Sequence, residues 1–489
     1  MNILITPIYS YNSYSRGIMP DVLQTQINEN PGAKIYYLTN SGTFQICYFN
    51  IEGKPEINYL CKTGVKNSLE MIEGDFTHLK ISDILKEEDL TQAEAFFHHG
   101  RKIDFDLKYE NFEVGAATLS TYISSTRDRE LLHVERPFVR ELGVNALALY
   151  LATKRFISEK KIDLVYNFNG RQDYVRAIMR AAMVQGIDCY NVERTRLHGH
   201  IDFYKNTFPH EPFAKFQLVE KYWRESAFTE KEKEIRGGNF YLRQRAGESV
   251  VFPSYTGRME RGKIPPEYLN GNKNIILYNS SDDEVIAFGD SFKYPLFDEQ
   301  IEGLEYLVQL IGKEMPSHNL IIRMHPNLEK VKYPYVERIR QLHQLFPNIF
   351  VVNPESSIDT YSLLEIADKV ISFGSTMGLE ANFQRKPVIL LGKGFFYFAD
   401  YAYKPETREE IGELLKSELP PKPLLDTLKV GYFLQEGGVK TKYYHEEKMG
   451  EGLFFKGKRI HYYTPVQRIK AKVTKLAYQY LGIRFNFRS

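Results

Sequence analysis

The sequence is poor in cysteine and contains no long apolar run. Cys47, Cys61 and Cys189 are spread through 489 residues, and an odd number at such wide spacing matches neither a disulfide framework nor a metal-binding cluster. No segment approaches the roughly 18 consecutive apolar residues that a membrane-spanning helix needs, and the N-terminus lacks a signal-peptide pattern. We therefore expect a protein of the reducing cytoplasm, without a metal site.

An excess of charge of either sign is also missing. Lys and Arg total 64 and Asp and Glu total 62, whereas a nucleic-acid-binding protein normally carries a basic field. The sequence thus predicts no nucleic-acid partner. Residues that can form a hydrophobic core are abundant, with 34 Tyr, 32 Phe and 43% hydrophobic residues in all. Because one domain usually takes about 100 to 200 residues, the length predicts two large domains.

Short apolar runs followed by polar turns and helical patterns dominate the first half of the chain. Strand, turn and helix in repetition are typical of a parallel sheet. We expect additional β structure at 44–49 and 57–61, where apolar and polar residues alternate. The runs that predict buried strands of the sheet are 3–8, 34–39, 162–168 and 187–192.

A second series of α/β units begins near residue 275 and predicts another open, doubly wound sheet. Gly and Pro residues between the two series indicate a domain junction. We expect an N-terminal Rossmann-like domain over 1–250, a C-terminal Rossmann-like domain over 251–420 and a C-terminal extension over 421–489. Two such domains in sequence predict a central cleft between the carboxyl ends of their sheets. The predicted strands of the second series are 275–279, 320–325, 349–353, 369–373 and 388–391.

Two loops after strands of the second domain have the chemistry of an anion site. In the first, Arg323 precedes His325, which can donate to a phosphate oxygen, and Pro326, which fixes the turn. Such a histidine also occurs as a packed turn residue. The second loop contains the small and hydroxyl residues of a phosphate cradle and leads into a predicted helix, although an ordinary helix cap also uses hydroxyl residues. Its candidates are Gly374, Ser375, Thr376 and, one turn into the helix, Glu380 as a ribose ligand.

Carboxylates that follow predicted strands are the candidates for a catalytic base. In the second domain these are Asp282, Asp283 and Glu284, which follow the candidate substrate ligands Ser280 and Ser281 and also form an acceptable helix start. In the first domain, Asn169, another candidate ligand, and Arg171 lie in a turn after a strand, and Glu193 ends the next strand. Arg171 is a candidate phosphate or acceptor ligand, and Glu193 is either a base or the structural partner of Arg171.

These motifs together resemble bacterial capsule polysaccharide biosynthesis proteins. The resemblance runs from Ser280 to Gly392 and includes Asn169-Gly170-Arg171 and Glu193-Arg194. It implies a GT-B fold and a nucleotide-sugar substrate. Bacterial sialyltransferases and transferases of 3-deoxy-manno-octulosonic acid, which are relatives, hold a CMP phosphate with a His-Pro pair and a Ser-Ser or Ser-Thr pair. The resemblance therefore implies this role for His325-Pro326 and Ser375-Thr376. CMP-using relatives often have an acidic-acidic-Gly motif, and here no Gly follows Glu284.

The resulting hypothesis is a GT-B glycosyltransferase of surface polysaccharide synthesis. Its partners would be a nucleotide-sugar donor, with CMP-linked sugars among the candidates, and a glycan or lipid-linked glycan acceptor, with no further cofactor. Two alternatives stay open: a nucleotide-sugar 2-epimerase, which shares this fold and needs no acceptor, and a non-catalytic assembly protein.

A basic amphipathic helix is predicted over 465–481. Apolar residues from Val466 to Tyr480 alternate with Arg468, Lys470, Lys472 and Lys475. Such a helix either packs its apolar face on the protein or lies on anionic lipid, at the cytoplasmic face of the inner membrane. Closing helices of this kind commonly pack, and we expect packing here.

Overall fold

The computed structural model describes residues 1–11, 13–98, 100–248, 259–284, 286–448, 451–460 and 463–481. The chain separates into two compact units. Unit 1 consists of Met1–Pro209 and Gly438–Ser489, and unit 2 of His210–Gly437. The seven-stranded sheet lies in unit 1 and the five-stranded sheet lies in unit 2.

The strands alternate with helices along most of the chain. The strands are β1 (Asn2–Thr6), β2 (Lys34–Thr39), β3 (Thr77–Lys80), β4 (Leu164–Phe168), β5 (Asp188–Arg194), β6 (His200–Lys205), β7 (Lys273–Tyr278), β8 (His318–Arg323), β9 (Ile349–Val352), β10 (Lys369–Ser372), β11 (Val388–Leu390), β12 (Val439–Lys440), β13 (Tyr444–Lys448), β14 (Glu451–Phe455) and β15 (Lys458–Arg459). The helices are α1 (Ser13–Glu29), α2 (Pro55–Leu69), α3 (Ile81–Ile84), α4 (Glu87–Phe96), α5 (Val114–Thr126), α6 (Pro137–Lys160), α7 (Asp173–Val184), α8 (Pro212–Glu225), α9 (Glu230–Arg245), α10 (Gln300–Glu314), α11 (Pro334–Gln341), α12 (Thr360–Glu365), α13 (Met377–Phe383), α14 (Arg408–Lys416), α15 (Leu425–Glu436) and α16 (Pro465–Leu481).

Unit 1 is a doubly wound sheet with the strand order β3-β2-β1-β4-β5-β6-β12. The strands from β3 to β5 are parallel, whereas β6 and β12 are antiparallel to their neighbours. Both faces are covered: Leu4 lies in a core with α5, α6 and α7, and Ile3 and Ile5 lie in a core with α1 and the β13–β15 hairpins. This order is that of a Rossmann fold, with its switch point between β1 and β4.

Unit 2 repeats the arrangement in a fully parallel sheet of order β11-β10-β7-β8-β9. Ile275 and Leu277 of β7 pack beneath α10 and α11. Ile276 and Tyr278 face the opposite core, which includes residues of α9, α13 and α15. The predicted fold class of two doubly wound Rossmann-like α/β domains is therefore confirmed, and the switch point of unit 2 lies between β7 and β10.

The units do not follow the expected boundaries at 250 and 420. Residue 250 lies outside the described residues, but α8 and α9, which we expected in the first domain, belong to unit 2 and pack on α15. Glycines make this packing close, because a Cβ at Gly237 would overlap the carbonyl oxygen of Leu428 and one at Gly431 would overlap the carbonyl oxygen of Gly237. The chain then returns to unit 1, where Val439 pairs with Ile201.

Two local expectations differ from the structure. Residues 57–61 lie in α2, which begins with Pro55 at its first turn, a position where proline favours a helix. The alternation of apolar and polar residues there is too short to distinguish strand from helix. Residues 44–49 form no strand and carry only an isolated bridge between Cys47 and Asn50.

The C-terminal helix has the predicted bounds, but its apolar face is not packed as we expected. Tyr480, for example, is 79% exposed, while Ala471 and Thr474 are the buried residues of α16, which packs on α2. Small side chains bring a helix close to its neighbour, which leaves the larger apolar ones outside. In the portions that the structure describes, no helix is both long and apolar enough to cross a membrane.

Candidate functional site

Three neighbouring strands of unit 2 end at one edge of its sheet and carry the sequence-predicted residues. In the sheet order, β7 lies between β10 and β8. The loop after β7 contains Ser280 to Glu284, that after β8 contains His325 and Pro326, and that after β10 contains Gly374 to Thr376. Ligands of doubly wound sheets bind outside the carboxyl ends of the strands at the switch point, so these loops lie where a ligand is expected.

His325 is held in a defined orientation at this edge. Its backbone N–H donates to the side-chain oxygen of Asn279, at the end of β7, over 2.6 Å. Its ring Nδ1 accepts from the backbone N–H of Asn327 over 3.2 Å, and Pro326 begins the short 3₁₀ turn that brings this N–H into place. A neutral imidazole that accepts at Nδ1 carries its proton on Nε2. His325 is half-buried, and its Nε2–H is a donor suited to an anion.

The loop after β10 forms a tight, half-buried turn. Gly374 has a φ of +87°, and a Cβ there would lie 2.9 Å from the carbonyl oxygen of Lys393. Only glycine combines this left-handed backbone with so close an approach. Ser375 Oγ accepts from the N–H of Met377 over 3.3 Å, and Thr376 is the N-cap residue of α13. The hydroxyl-bearing residues Ser375 and Thr376 therefore lie at the start of α13, as the sequence indicated.

Two of the predicted ligands are committed to the protein interior. Arg323 is 3% exposed, and its guanidinium donates to the carbonyl oxygen of Asn353 over 2.5 Å, which ties β8 to the end of β9. Burial lowers the pKa of Arg323. Glu380 is 8% exposed and accepts a hydrogen bond from the Tyr361 hydroxyl. The structure thus gives both side chains a packing role at this edge.

The acidic loop after β7 is folded inward. Asp282 accepts hydrogen bonds from the Tyr294 hydroxyl and the Gln300 amide, and Gln300 also accepts from the N–H of Ser280 over 3.0 Å. Each of these contacts fixes the loop to the segment that precedes α10 or to α10 itself.

The next carboxylate in the loop is equally enclosed. Ser281 donates to Asp283 over 2.8 Å, and both residues are 3% exposed. Glu284 belongs to the same 3₁₀ turn, and its side chain lies outside the described residues. The structure therefore buries both carboxylates and gives each of them a side-chain donor from the loop or from its surroundings.

The predicted residues of unit 1 also come together, at the carboxyl ends of β4 and β5. Asn169 has a left-handed φ of +67°, and its side chain donates to Glu193 while accepting from the N–H of Arg171 over 3.1 Å. The Arg171 guanidinium donates to Ser124 Oγ over 3.0 Å. Glu193 remains half-buried. The structure thus gives Glu193 a side-chain partner, Asn169, that the sequence analysis did not anticipate.

Sequence reasoning missed a buried acid beside this turn. Asp173, the first residue of α7, is fully buried and accepts from the Tyr9 hydroxyl and from the N–H of Tyr174 over 2.8 Å. Burial raises the pKa of Asp173 to about 7. The sequence signal was an acid at a helix start, which is too common to single out.

Asn279 is the other residue that sequence reasoning did not assign. It is 1% exposed and orients His325 through its side-chain oxygen. Its side-chain nitrogen has no hydrogen-bond partner within the described part of the chain. A polar residue at the end of a central strand was the available signal.

Comparison with solved structures finds α/β proteins of low sequence identity. Thermosulfurimonas dismutans KpsC, beta Kdo 2,4 transferase, has 14% identity and a TM-score of 0.38, with 64% of this chain and 87% of that chain covered. A putative UDP-N-acetylglucosamine 2-epimerase from Listeria monocytogenes has 12% identity and a TM-score of 0.27, with 90% and 91% covered. Because these TM-scores are low, the fold rests on the strand order of the two sheets.

Comparison with sequences gives a family. No curated protein matches the chain. A family model described as capsule polysaccharide biosynthesis protein matches residues 215–409. This segment includes β7, β8 and β10 and the three loops that follow them. Residues 215–409 are therefore similar to the capsule polysaccharide biosynthesis protein family, which confirms the resemblance that the sequence motifs indicated.

Proposed function

We propose that the protein is a glycosyltransferase of bacterial surface polysaccharide synthesis. It would transfer a sugar from a nucleotide-activated donor, with CMP as the nucleotide, to a glycan or lipid-linked glycan. The family of residues 215–409 supports the biological process. The order of strands in unit 2 supports a nucleotide ligand, since doubly wound sheets commonly bind nucleotides at their switch points.

The observation that carries the proposal is the position of His325 beside the hydroxyl-rich turn. Asn279 accepts from the backbone N–H of His325, and the N–H of Asn327 donates to the ring Nδ1, so that Nε2 carries the ring proton. On the other side of β7, Ser375 and Thr376 begin α13. An imidazole N–H, hydroxyl groups and backbone N–H groups are the donors that stabilise the charge on a departing phosphate.

The donor set also bears on the requirement for metal. Nitrogen and hydroxyl donors neutralise phosphate charge by hydrogen bonding, a task that Mg²⁺ otherwise performs with carboxylate ligands. We therefore expect transfer to proceed without metal or further cofactor, and its rate to be unchanged when EDTA is added.

A carboxylate must also accept the proton of the acceptor hydroxyl. Asp282 and Asp283 are buried, whereas Glu193, which accepts hydrogen bonds from Asn169 and from the N–H of Arg194, is only half-buried. We assign the base to Glu193. Glu193→Gln should therefore lower kcat by a factor of about 100 or more, within the usual range for loss of a general base.

The direct test is product analysis with CMP-, UDP- and GDP-linked sugars, with and without lipid-linked glycan from a capsule-producing strain. Sugar transfer by the wild type, lost in His325→Ala, would support the proposal. Interconversion of a free nucleotide sugar without acceptor would identify a 2-epimerase instead. Nucleotide binding with no product under any condition would identify a non-catalytic assembly protein.

A further inference from the structure

Helix α16 carries an apolar stripe that nothing in the described chain covers. Five of its large apolar residues are between 51% and 79% exposed. They recur at intervals of three and four residues, which places them on one face of the helix. These residues are Val466, Ile469, Val473, Leu476 and Tyr480.

The helix is anchored to unit 1 through a different face. Ala471 and Thr474 are 7% and 8% exposed, on the side that packs against α2. The anchoring begins before the helix, where the Tyr463 hydroxyl donates to the carbonyl oxygen of Leu60 in α2 over 3.2 Å. Arg16 of α1 donates to the same hydroxyl. The apolar stripe is therefore presented outward by a fixed helix.

The helix start is stabilised independently of the stripe. Thr464 and Gln467 form a reciprocal capping box, with hydrogen bonds of 2.9 Å and 3.2 Å between the N–H of each and the side-chain oxygen of the other. Pro465 occupies the first helical turn, where its missing N–H costs nothing. Substitutions in the exposed stripe leave these contacts intact.

The charge around the stripe selects the kind of partner. Arg468, Lys470, Lys472 and Lys475 are exposed, and the helix contains no Asp or Glu. On a helical wheel, Lys472 and Lys470 border the stripe on opposite sides. Protein–protein interfaces are depleted in lysine. An apolar stripe bordered by lysines matches instead a bilayer surface, where acyl chains accept the apolar face and anionic headgroups attract the cations.

We infer that α16 docks the protein on an anionic lipid bilayer, lying in the headgroup region with its apolar stripe inserted. The inference deepens the proposed function and rests on it in one respect, since a lipid-linked acceptor would be met at that surface. Docking itself requires no sugar transfer, so it is measured separately.

The test is flotation of the full-length protein with vesicles of phosphatidylethanolamine and phosphatidylglycerol (3:1), and with phosphatidylcholine vesicles for comparison. Wild type should float with the anionic vesicles and much less with phosphatidylcholine. Ile469→Glu/Val473→Glu should weaken binding at least about tenfold, because two inserted aliphatic groups become charged. The matched control, Leu269→Glu/Leu345→Glu, changes two residues of 60% and 51% exposure in unit 2 and should bind like wild type.

The lysines give a second, independent readout. Lys470→Gln/Lys472→Gln should lower the partition coefficient by a factor of about 25, at about fivefold for each charge removed near the surface. The control is Lys313→Gln/Lys330→Gln, which removes two exposed lysines of unit 2 and should leave the partition coefficient unchanged. Binding that is insensitive to these changes would overturn the inference.

Two further outcomes separate this inference from the proposed function. Vesicle binding by a protein that transfers no sugar would retain the docking surface and reject the transferase. The other outcome is a wild type that fails to bind anionic vesicles and sediments as a dimer that Ile469→Glu/Val473→Glu dissociates. That result would show that the stripe binds a second copy of the chain and would overturn docking on lipid.

Discussion

Asn279 links two of the strand ends that form the candidate site. Its side-chain oxygen receives the N–H of His325, which fixes the start of the His-Pro turn. Without this acceptor the turn should become more mobile, and its hydrogen-bond donors should no longer be held in place before the ligand binds. Asn279→Ala should therefore raise the Kd for the nucleotide about tenfold, which isothermal titration calorimetry measures.

Asn319→Ala provides the matched control for this prediction. Asn319 is also a fully buried amide, but it lies near the start of β8 and contacts Asn270 and Asn274. Its loss should lower the free energy of unfolding while the Kd stays unchanged. Equal changes of Kd in both variants would show that Asn279 acts only through general stability.

Asp173 should make the stability of unit 1 depend on pH. Its pKa rises from 3.8 to about 7 in the folded protein because the carboxyl group is buried. As the pH rises, the carboxyl group therefore loses its proton in the unfolded chain before it does so in the folded protein. The contribution of this group to the free energy of unfolding is fully present below about pH 4 and is lost as the pH rises to about 7. The loss should amount to about 1.4 kcal/mol for each pH unit in that window.

Asp173→Asn has no proton to lose, so its stability relative to the wild type should increase from pH 4 to pH 7 and then level off. Urea unfolding at several pH values measures this difference, in which the other titrating groups cancel. Asn319→Ala, which changes no titrating group, is the control, and its curve should run parallel to that of the wild type. A parallel curve for Asp173→Asn would contradict the raised pKa.

Sequence patterns predicted which strand ends carry the candidate residues better than they predicted the contacts of those residues. The residue types at strand ends correctly indicated His325 and the Ser375 loop as neighbours at one sheet edge. Hydrogen-bond partners such as Tyr294 for Asp282, or Tyr361 for Glu380, depend on which elements pack together. A linear pattern does not contain that information, so buried and accessible carboxylates looked alike.

At the scale of elements, the contact between α9 and α15 decides how the chain is divided. Gly237 and Gly431 allow the two helices to approach so closely that a Cβ on either would overlap backbone atoms of the other helix. The neighbouring Gly238 has its nearest foreign atom at 3.6 Å, an ordinary contact. Two adjacent glycines of one helix thus differ in the space around them.

This difference gives a paired prediction for stability. Gly237→Ala should lower the free energy of unfolding by about 1–3 kcal/mol, because the added methyl group forces the helices apart. Gly238→Ala should be neutral or stabilise by up to about 1 kcal/mol, because alanine favours the helix. Chemical denaturation of the two variants tests the contact, and similar effects of both would contradict it.

Elements themselves were largely predictable, whereas their partners were not. The five strands of the sheet of unit 2, four strands of unit 1 (β1, β2, β4 and β5) and the bounds of α16 follow from local periodicity, whereas β3 and β6 were not predicted. Helix α9 is so rich in charge that it gives no sign of which domain it covers, and its glycine contact depends on a helix almost 200 residues later. The return of β12 to the edge of unit 1 is likewise a long-range pairing.

At the scale of the whole molecule, unit 2 should fold when produced alone as residues 210–437. It contains both of its cores, including the one that α9 and α15 complete. A fragment of 251–420 lacks these helices and would expose Val370 and Leu379 among other core residues. We expect cooperative thermal unfolding by circular dichroism for the first fragment and none for the second. Cooperative unfolding of both would favour the boundaries expected from the sequence.

The most direct test of the central claim is whether the switch point of unit 2 binds a nucleotide through His325. Thermal shift of the full-length protein would be measured with CMP, CDP, UDP and GDP, because a ligand of the native state raises the Tm. His343→Ala, at an exposed histidine of the same unit, is the matched control. CMP should raise the Tm of the wild type and of His343→Ala but not of His325→Ala. No shift with any nucleotide, or an equal shift in His325→Ala, would contradict it.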